Sequence, residues 1–284
     1  MNSYHIDTLP FSIQKGHPNK FDTDGVILSK IPYTQNYNYH VTAISSYAIC
    51  NIEDKKKFSP QIKWLINNIN DNGAYIHNFT LPFYENFPKK WIGGLAQGLA
   101  ISALIRAYRK TNDKNYLITA KSAFKCLKNN CIYVDEFGDK WIEEYPIHPP
   151  LHILNGYIYA AFGIYDLLEE IKDKNVEKIW QETIETLIKN ISKYDIGYWS
   201  YYSLKDSMPS TEFYHRIHIK QLNKLNQIYP NDELKKYADK WKHNLDASFN
   251  KLRVGFDRNY KIIKHFGLRK AYNKYFLRKK WLNG

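Results

Sequence analysis

Cysteine is scarce: Cys50, Cys126 and Cys131 are the only three in 284 residues, an odd number without paired metal-type spacing. That excludes a disulfide framework and reads as free thiols in a reducing compartment, with Cys126 inside a helical stretch. Long apolar runs are missing too. No stretch of 18 apolar residues occurs, and the first thirty residues hold no basic segment followed by an apolar run. Neither membrane spanning nor secretion is indicated, and a cytoplasmic location is the default expectation.

Acidic residues are nearly absent from one end. The chain carries a formal net charge of +13. Residues 251–284 hold eleven lysines and arginines against one acid, Asp257, so the rest of the chain is almost balanced. A polyanionic partner is expected, and an anionic substrate elsewhere must be met by a local cluster. With 44% hydrophobic residues the chain can bury one large core.

Residues 1–40 scatter Pro, Gly, Asn and Tyr without helical period and read as an extended N-terminal arm with a short hairpin. Beyond it, apolar residues recur at three-to-four spacing in eight segments, near 41–50, 59–70, 92–109, 114–129, 154–171, 175–191, 211–228 and 232–248. Short connections make helices antiparallel neighbours, so four hairpins predict an all-α fold, an open or incomplete α/α toroid over 41–250. The segment 251–284 reads as a basic tail.

Two connections are unusually aromatic. One, Tyr133 to Ile153, holds Trp141, Glu143, Glu144, Tyr145, His148 and His152; the other, Tyr194 to Ser210, holds Asp195, Tyr198, Trp199, Tyr201 and Tyr202. The 24 tyrosines partly reflect a composition also rich in Lys, Asn and Ile. Clusters in loops and at helix starts, such as Tyr201-Tyr202 and Tyr214-His215, are not needed for a core and suit a cleft that stacks and hydrogen-bonds sugars.

The run from Trp91 through Gly93-Gly94-Leu95-Ala96-Gln97-Gly98 to Ser102, then Trp141-Ile142-Glu143-Glu144-Tyr145-Pro146, Leu154-Asn155-Gly156-Tyr157, Tyr194-Asp195 and Tyr214-His215-Arg216-Ile217-His218 occur in this order. Together, over residues 88 to 246, they resemble the C-terminal helical domain of D-glucuronyl C5-epimerases. The resemblance implies inversion of glucuronate to iduronate within a heparosan-type chain, without a redox cofactor. Moving a weakly acidic C5 proton requires a base on one face, an acid on the other, and donors or cations for the developing enediolate charge.

Matched residue by residue, the resemblance implies catalytic roles for Glu144, Tyr145, Tyr202 and Tyr214, with base and acid unassigned and Tyr201 an alternative to Tyr202. Gln97, Asn155, His215, His218 and Tyr201 are candidates for substrate binding, and Arg106 for the substrate carboxylate. Each has a structural alternative. Glu144 could pair with Arg106 or Lys140, Asn155 could cap a helix beginning at Gly156, and His215 with His218 could share a metal, though no third ligand of suitable spacing is evident. No metal and no cofactor are expected.

Animal members carry β-rich domains before the helical one; about 90 residues precede Trp91 here, so those domains are expected to be absent or reduced. A bacterial glycan, a lipid-linked repeat unit, or a cleft completed in a homodimer fits that expectation. A polysaccharide lyase abstracting the same proton and a non-catalytic glycan-binding toroid are the rival readings. From Phe256 to Trp281, aromatic and basic residues interleave as a basic amphipathic helix suited to an anionic membrane surface beside capsule or lipopolysaccharide machinery; nucleic acid is not the expected partner.

Overall fold

A computed structural model describes residues 19–31, 36–81, 84 and 86–264. Eight helices carry the fold: α1 (Val41–Cys50), α2 (Lys55–Asn67), α3 (Gly94–Thr111), α4 (Lys114–Asn130), α5 (Leu154–Ile171), α6 (Lys174–Asn190), α7 (Glu212–Ile228) and α8 (Asp232–Asp246). A ninth, α9, runs over 248–264. They match the eight periodic segments, and the fold is all-α.

The helices form two layers. α1, α3, α5 and α7 pack in a row, and each is backed by the helix that follows it, α2, α4, α6 and α8. Among the described residues α1 and α7 share no substantial contact, so the row of hairpins stays open. Sequence explains which helix is inside. α3 is buried along most of its length, from Gly94 to Ala107. α8 buries only the stripe Leu234, Tyr237, Ala238, Trp241 and Leu245, as an amphipathic outer helix does.

Capping follows the same division. The outer helices begin on Asp54, Asp113, Asp173 and Asn231, whose side chains accept first-turn backbone N–H groups. α3 and α5 begin on Gly93 and Ile153, without a side-chain cap; instead Gly94 N–H donates to the Glu143 carbonyl at 2.8 Å. The α3 N-terminus is thus served by the loop that holds Glu143 and Glu144.

α3 and α5 meet backbone to backbone. A Cβ on Gly98 would lie 2.4 Å from Ala160 Cα, and one on Gly163 would lie 2.2 Å from the Gly98 carbonyl oxygen. Near the other end of the pair Arg106 donates to Asp166 Oδ2 at 2.6 Å, with Arg109 3.7 Å from Asp166 Oδ1 and 2.5 Å from Glu170. Arg106 also donates to the Ser102 carbonyl. This corrects its candidacy as a substrate ligand: the guanidinium is a buried helix-to-helix clamp.

The N-terminal segment holds the expected short hairpin and adds a third strand to it. Within it β1 (Asn19–Phe21), β2 (Ile27–Lys30) and β3 (Tyr37–Tyr39) form an antiparallel sheet in that order. Gln61 of α2 ties the sheet down, accepting from Ile27 N–H at 3.1 Å and donating to the Gly25 carbonyl at 2.8 Å. Residues 1–18 lie outside the described residues. Two short hairpins complete the framework: β4 (Ile132–Val134) with β5 (Lys140–Ile142), and β6 (Tyr201–Ser203) with β7 (Met208–Pro209).

Candidate active site

Three loops meet at the N-terminal ends of α3, α5 and α7. The loop after β5 is joined to the α6–α7 connection by an Ile153–Ser203 bridge and by the Tyr194 hydroxyl, which donates to the His152 carbonyl at 2.8 Å. The loop before α3 closes on itself through a His77–Trp91 bridge, with the Trp91 indole donating to the Phe79 carbonyl.

Glu143 and Glu144 are neighbours with different duties. Glu143 is a structural clasp: Oε2 accepts from the N–H groups of Leu151 and His152, and Oε1 lies 2.6 Å from His152 Nδ1. Glu144 turns into the space between α3 and α5. Its carbonyl would lie 2.4 Å from a Cβ on Gly93, and its Oε2 2.4 Å from a Cβ on Gly156, so both glycines are needed to admit it. Oε2 is buried without a hydrogen-bond partner. Burial raises the carboxyl to about 7, opposed by the hydrogen bond from Tyr145 and reinforced by the charge of Glu143. Neither expected cation reaches it: Lys140 pairs with Glu182 at 2.7 Å, and Arg106 with Asp166.

Tyr145, hydrogen-bonded to Glu144 and half-buried, packs its ring against Trp91, Phe87 and Tyr84 at centroid distances of 5.5, 5.9 and 5.7 Å. Across the pocket the rings of Tyr202 and Tyr214 lie 4.8 Å apart. Thr211 caps α7 by accepting from Tyr214 N–H, which sets Tyr214 in the first turn. Burial first, then the charge of Glu144, holds the phenols of Tyr145 and Tyr202 well above the ordinary tyrosine range, with Tyr84 and Tyr214 adding to both. Glu144, Tyr145, Tyr202 and Tyr214 thus share one pocket, joined by Tyr84, which sequence reasoning missed. Tyr84 sits in an aperiodic stretch, and its only signal was the aromatic density just before Trp91.

Tyr201 is turned away. Successive strand residues face opposite sides, and Tyr201 lines a separate 150 Å³ cavity with Tyr198, Asp257, Tyr260 and Lys261, the Lys261 ammonium lying 5.2 Å from its ring centroid. The other polar candidates are held in the core. Gln97 accepts from Tyr75 N–H and donates to the Gly73 and Ala123 carbonyls, with no exposed surface. His215 stacks on Trp199 at 3.8 Å, and its Nδ1 and that of His218 both reach Ser200 Oγ, at 2.8 and 2.9 Å. Burial pulls His215 down to about 4 and His218 well below its ordinary range. Asn155 does not cap α5, which starts one residue earlier on an Ile153 cap position; its carbonyl accepts from Gln221, and its buried Oδ1 lacks a hydrogen bond.

A larger concavity of about 960 Å³ lies between the N-terminal sheet, α2 and the α3–α4 turn, lined by Tyr39, Trp64 and Lys110 among others. Lys110 stands sixteen residues along α3 from Gly94, roughly 24 Å at the helical rise, so this groove is separate from the Glu144 pocket.

The D-glucuronyl C5-epimerase C-terminus family matches residues 69–243, well over half of the chain. The chain belongs to this family. The loops that hold Tyr84, Glu144 and Tyr202, and the motifs of α3, α5 and α7, fall inside the matched range. A D-glucuronyl C5-epimerase of Caenorhabditis elegans is 32% identical over 203 residues, covering 63% of this chain and 33% of that protein. An uncharacterized protein of Methanocaldococcus jannaschii is 28% identical over 175 residues, 58% of this chain and 56% of the other. The chain therefore spans about a third to just over half of the length of these relatives. Among solved structures, an unsaturated glucuronyl hydrolase specific for heparin aligns with TM-score 0.48 and 12% identity over 75% of this chain and 66% of that one.

Proposed function

We propose that this chain is a uronate C5-epimerase that converts glucuronate to iduronate residues in a saccharide, using protein groups alone. The observation that carries the reading is the convergence of Glu144, Tyr145, Tyr202 and Tyr214 on one pocket inside the family-matched region, around a buried carboxyl raised to about 7.

The arrangement suggests a division of labour. Glu144 is buried and Tyr145 beside it is partly exposed, so Tyr145 is the group that meets the sugar. Its oxygen takes the C5 proton while its own proton passes to Glu144, and the C–H electron pair moves into the substrate carboxylate as an enediolate-like species. A phenol with a raised pKa holds its proton at neutral pH and is an acid rather than a base. Tyr202, whose raised phenol keeps its proton, or its neighbour Tyr214 gives its own hydroxyl proton to the opposite face of C5. The resulting phenolate and the protonated Glu144 reset by exchange with solvent. Coupling Tyr145 to a carboxyl near 7 supplies the basicity that a lone buried phenol lacks.

The test is turnover of glucuronate-containing oligosaccharides and lipid-linked precursors in heavy water. Deuterium at C5 with iduronate formed is the expected result. An unsaturated product would identify a lyase, and intact binding without exchange a non-catalytic glycan-binding protein.

A further inference from the structure

α9 has two faces with opposite character. The inner face is docked: Val254 is 5% exposed, Asp257 accepts from the Tyr198 hydroxyl, Arg258 donates to the Pro209 carbonyl, and Lys261 donates to the Ser207 carbonyl at 2.5 Å. The Arg253 guanidinium lies 4.1 Å from the Tyr198 ring centroid. These contacts fix the rotation of the helix about its axis.

The outer face is apolar and bare. Phe249 is 72% exposed, Leu252 66%, Phe256 74%, Tyr260 66% and Ile263 42%. At 100° per residue these five fall within an arc of about 80°, a single stripe along four turns. Large side chains at this exposure are costly to leave in water and mark an interaction surface when they are contiguous.

We propose that this stripe, with the lysines and arginines of α9, docks the protein on an anionic bilayer surface. The charge selects the occupant. Eleven lysines and arginines against Asp257 oppose pairing with a second copy, which would bring two such clusters together. Nucleic acid would answer the charge and leave the stripe in water. The headgroup region of an anionic membrane accepts both an apolar helix face and its cationic flank. Because α9 also grips the β6–β7 hairpin that carries Tyr202, docking would bring that side of the pocket toward the membrane, where a lipid-linked saccharide is presented. The docking itself does not depend on the epimerase reading.

Sedimentation of the full chain with vesicles decides it. The expected result is binding to phosphatidylcholine mixed with phosphatidylglycerol, little binding to phosphatidylcholine alone, and weakening at high salt. A Phe249→Ser/Phe256→Ser variant, both positions being exposed, should keep its circular dichroism and thermal melt and lose at least about tenfold in affinity; Leu252→Ser is the milder companion. No binding to the anionic vesicles overturns the proposal, as does equal binding by the folded double variant. A salt-stable dimer that the same substitutions turn into monomers would also overturn it, giving the stripe to a second copy.

Discussion

The α3–α5 pair buries a carboxylate near each end and treats the two in opposite ways. Asp166 is 1% exposed and meets Arg106 at 2.6 Å, with Arg109 beside it. Glu144, 7% exposed, has no lysine or arginine partner among the described residues, and its Oε2 lacks even a hydrogen bond. A buried carboxylate that is paired is a fixed charge and holds helices together; one left unpaired lifts its pKa toward neutrality and becomes able to exchange a proton. The same helix pair thus has a paired end and an unpaired end, ten residues apart along α5 or roughly 15 Å.

The largest expected break is chemical. Tyr145→Phe keeps the ring packing on Trp91 and Phe87 and removes the hydroxyl between Glu144 and the pocket. C5 exchange should fall by about 10²- to 10⁴-fold with an unchanged melt, the range of a general acid–base group. Full exchange by the folded variant would take Tyr145 out of the mechanism.

At the other end the break should be structural. Arg106→Met leaves buried Asp166 with only the longer Arg109 contact at 3.7 Å and should cost about 3 kcal/mol in urea unfolding. Activity per folded molecule should stay near the parent value; a selective loss of activity at full stability would return Arg106 to the substrate.

Gly156→Ala tests the seat of Glu144. The added methyl would meet Oε2 at 2.4 Å. It should cost about 1–3 kcal/mol of stability through overpacking and about 10²-fold in rate by displacing the carboxyl.

The smallest effects sharpen the contrast through pH. If ionised Glu144 is needed as proton acceptor, the rate should rise with pH through about 7. Stability runs the other way. A raised carboxyl favours its protonated form in the fold, so its contribution is full below the ordinary glutamate range and is lost as pH rises to about 7. Glu144→Gln should gain on the order of 2 kcal/mol relative to the parent at pH 8 over pH 5, read by urea melts at the two values.

Much of the scaffold was legible because it rests on local rules. The eight segments, the Asn231 cap of α8 and the division into hairpins follow from periodicity and end chemistry. The loop holding Glu144 and Tyr145 stood out because loops rarely carry so many rings. Polar residues inside helices were harder to read. Gln97, His215 and His218 sit in motif positions, yet their side chains close hydrogen bonds with Tyr75, Ser200 and other partners far away in sequence. Nothing along a helix says whether a buried amide faces a ligand or an orphaned backbone group.

The amino-acid sequence by itself determined that this is an all-α protein of helical hairpins with a basic end and an aromatic, carboxylate-bearing loop, since each is a matter of composition or short-range period. Only the tertiary structure decided that Arg106 neutralises Asp166 and leaves Glu144 without a cation among the described residues, that Tyr202 rather than Tyr201 enters the pocket, that Tyr84 joins it, and that α9 shows solvent an apolar stripe. Each depends on what lies opposite a side chain across the fold, and burial and pairing there fix whether a charge is silent or reactive.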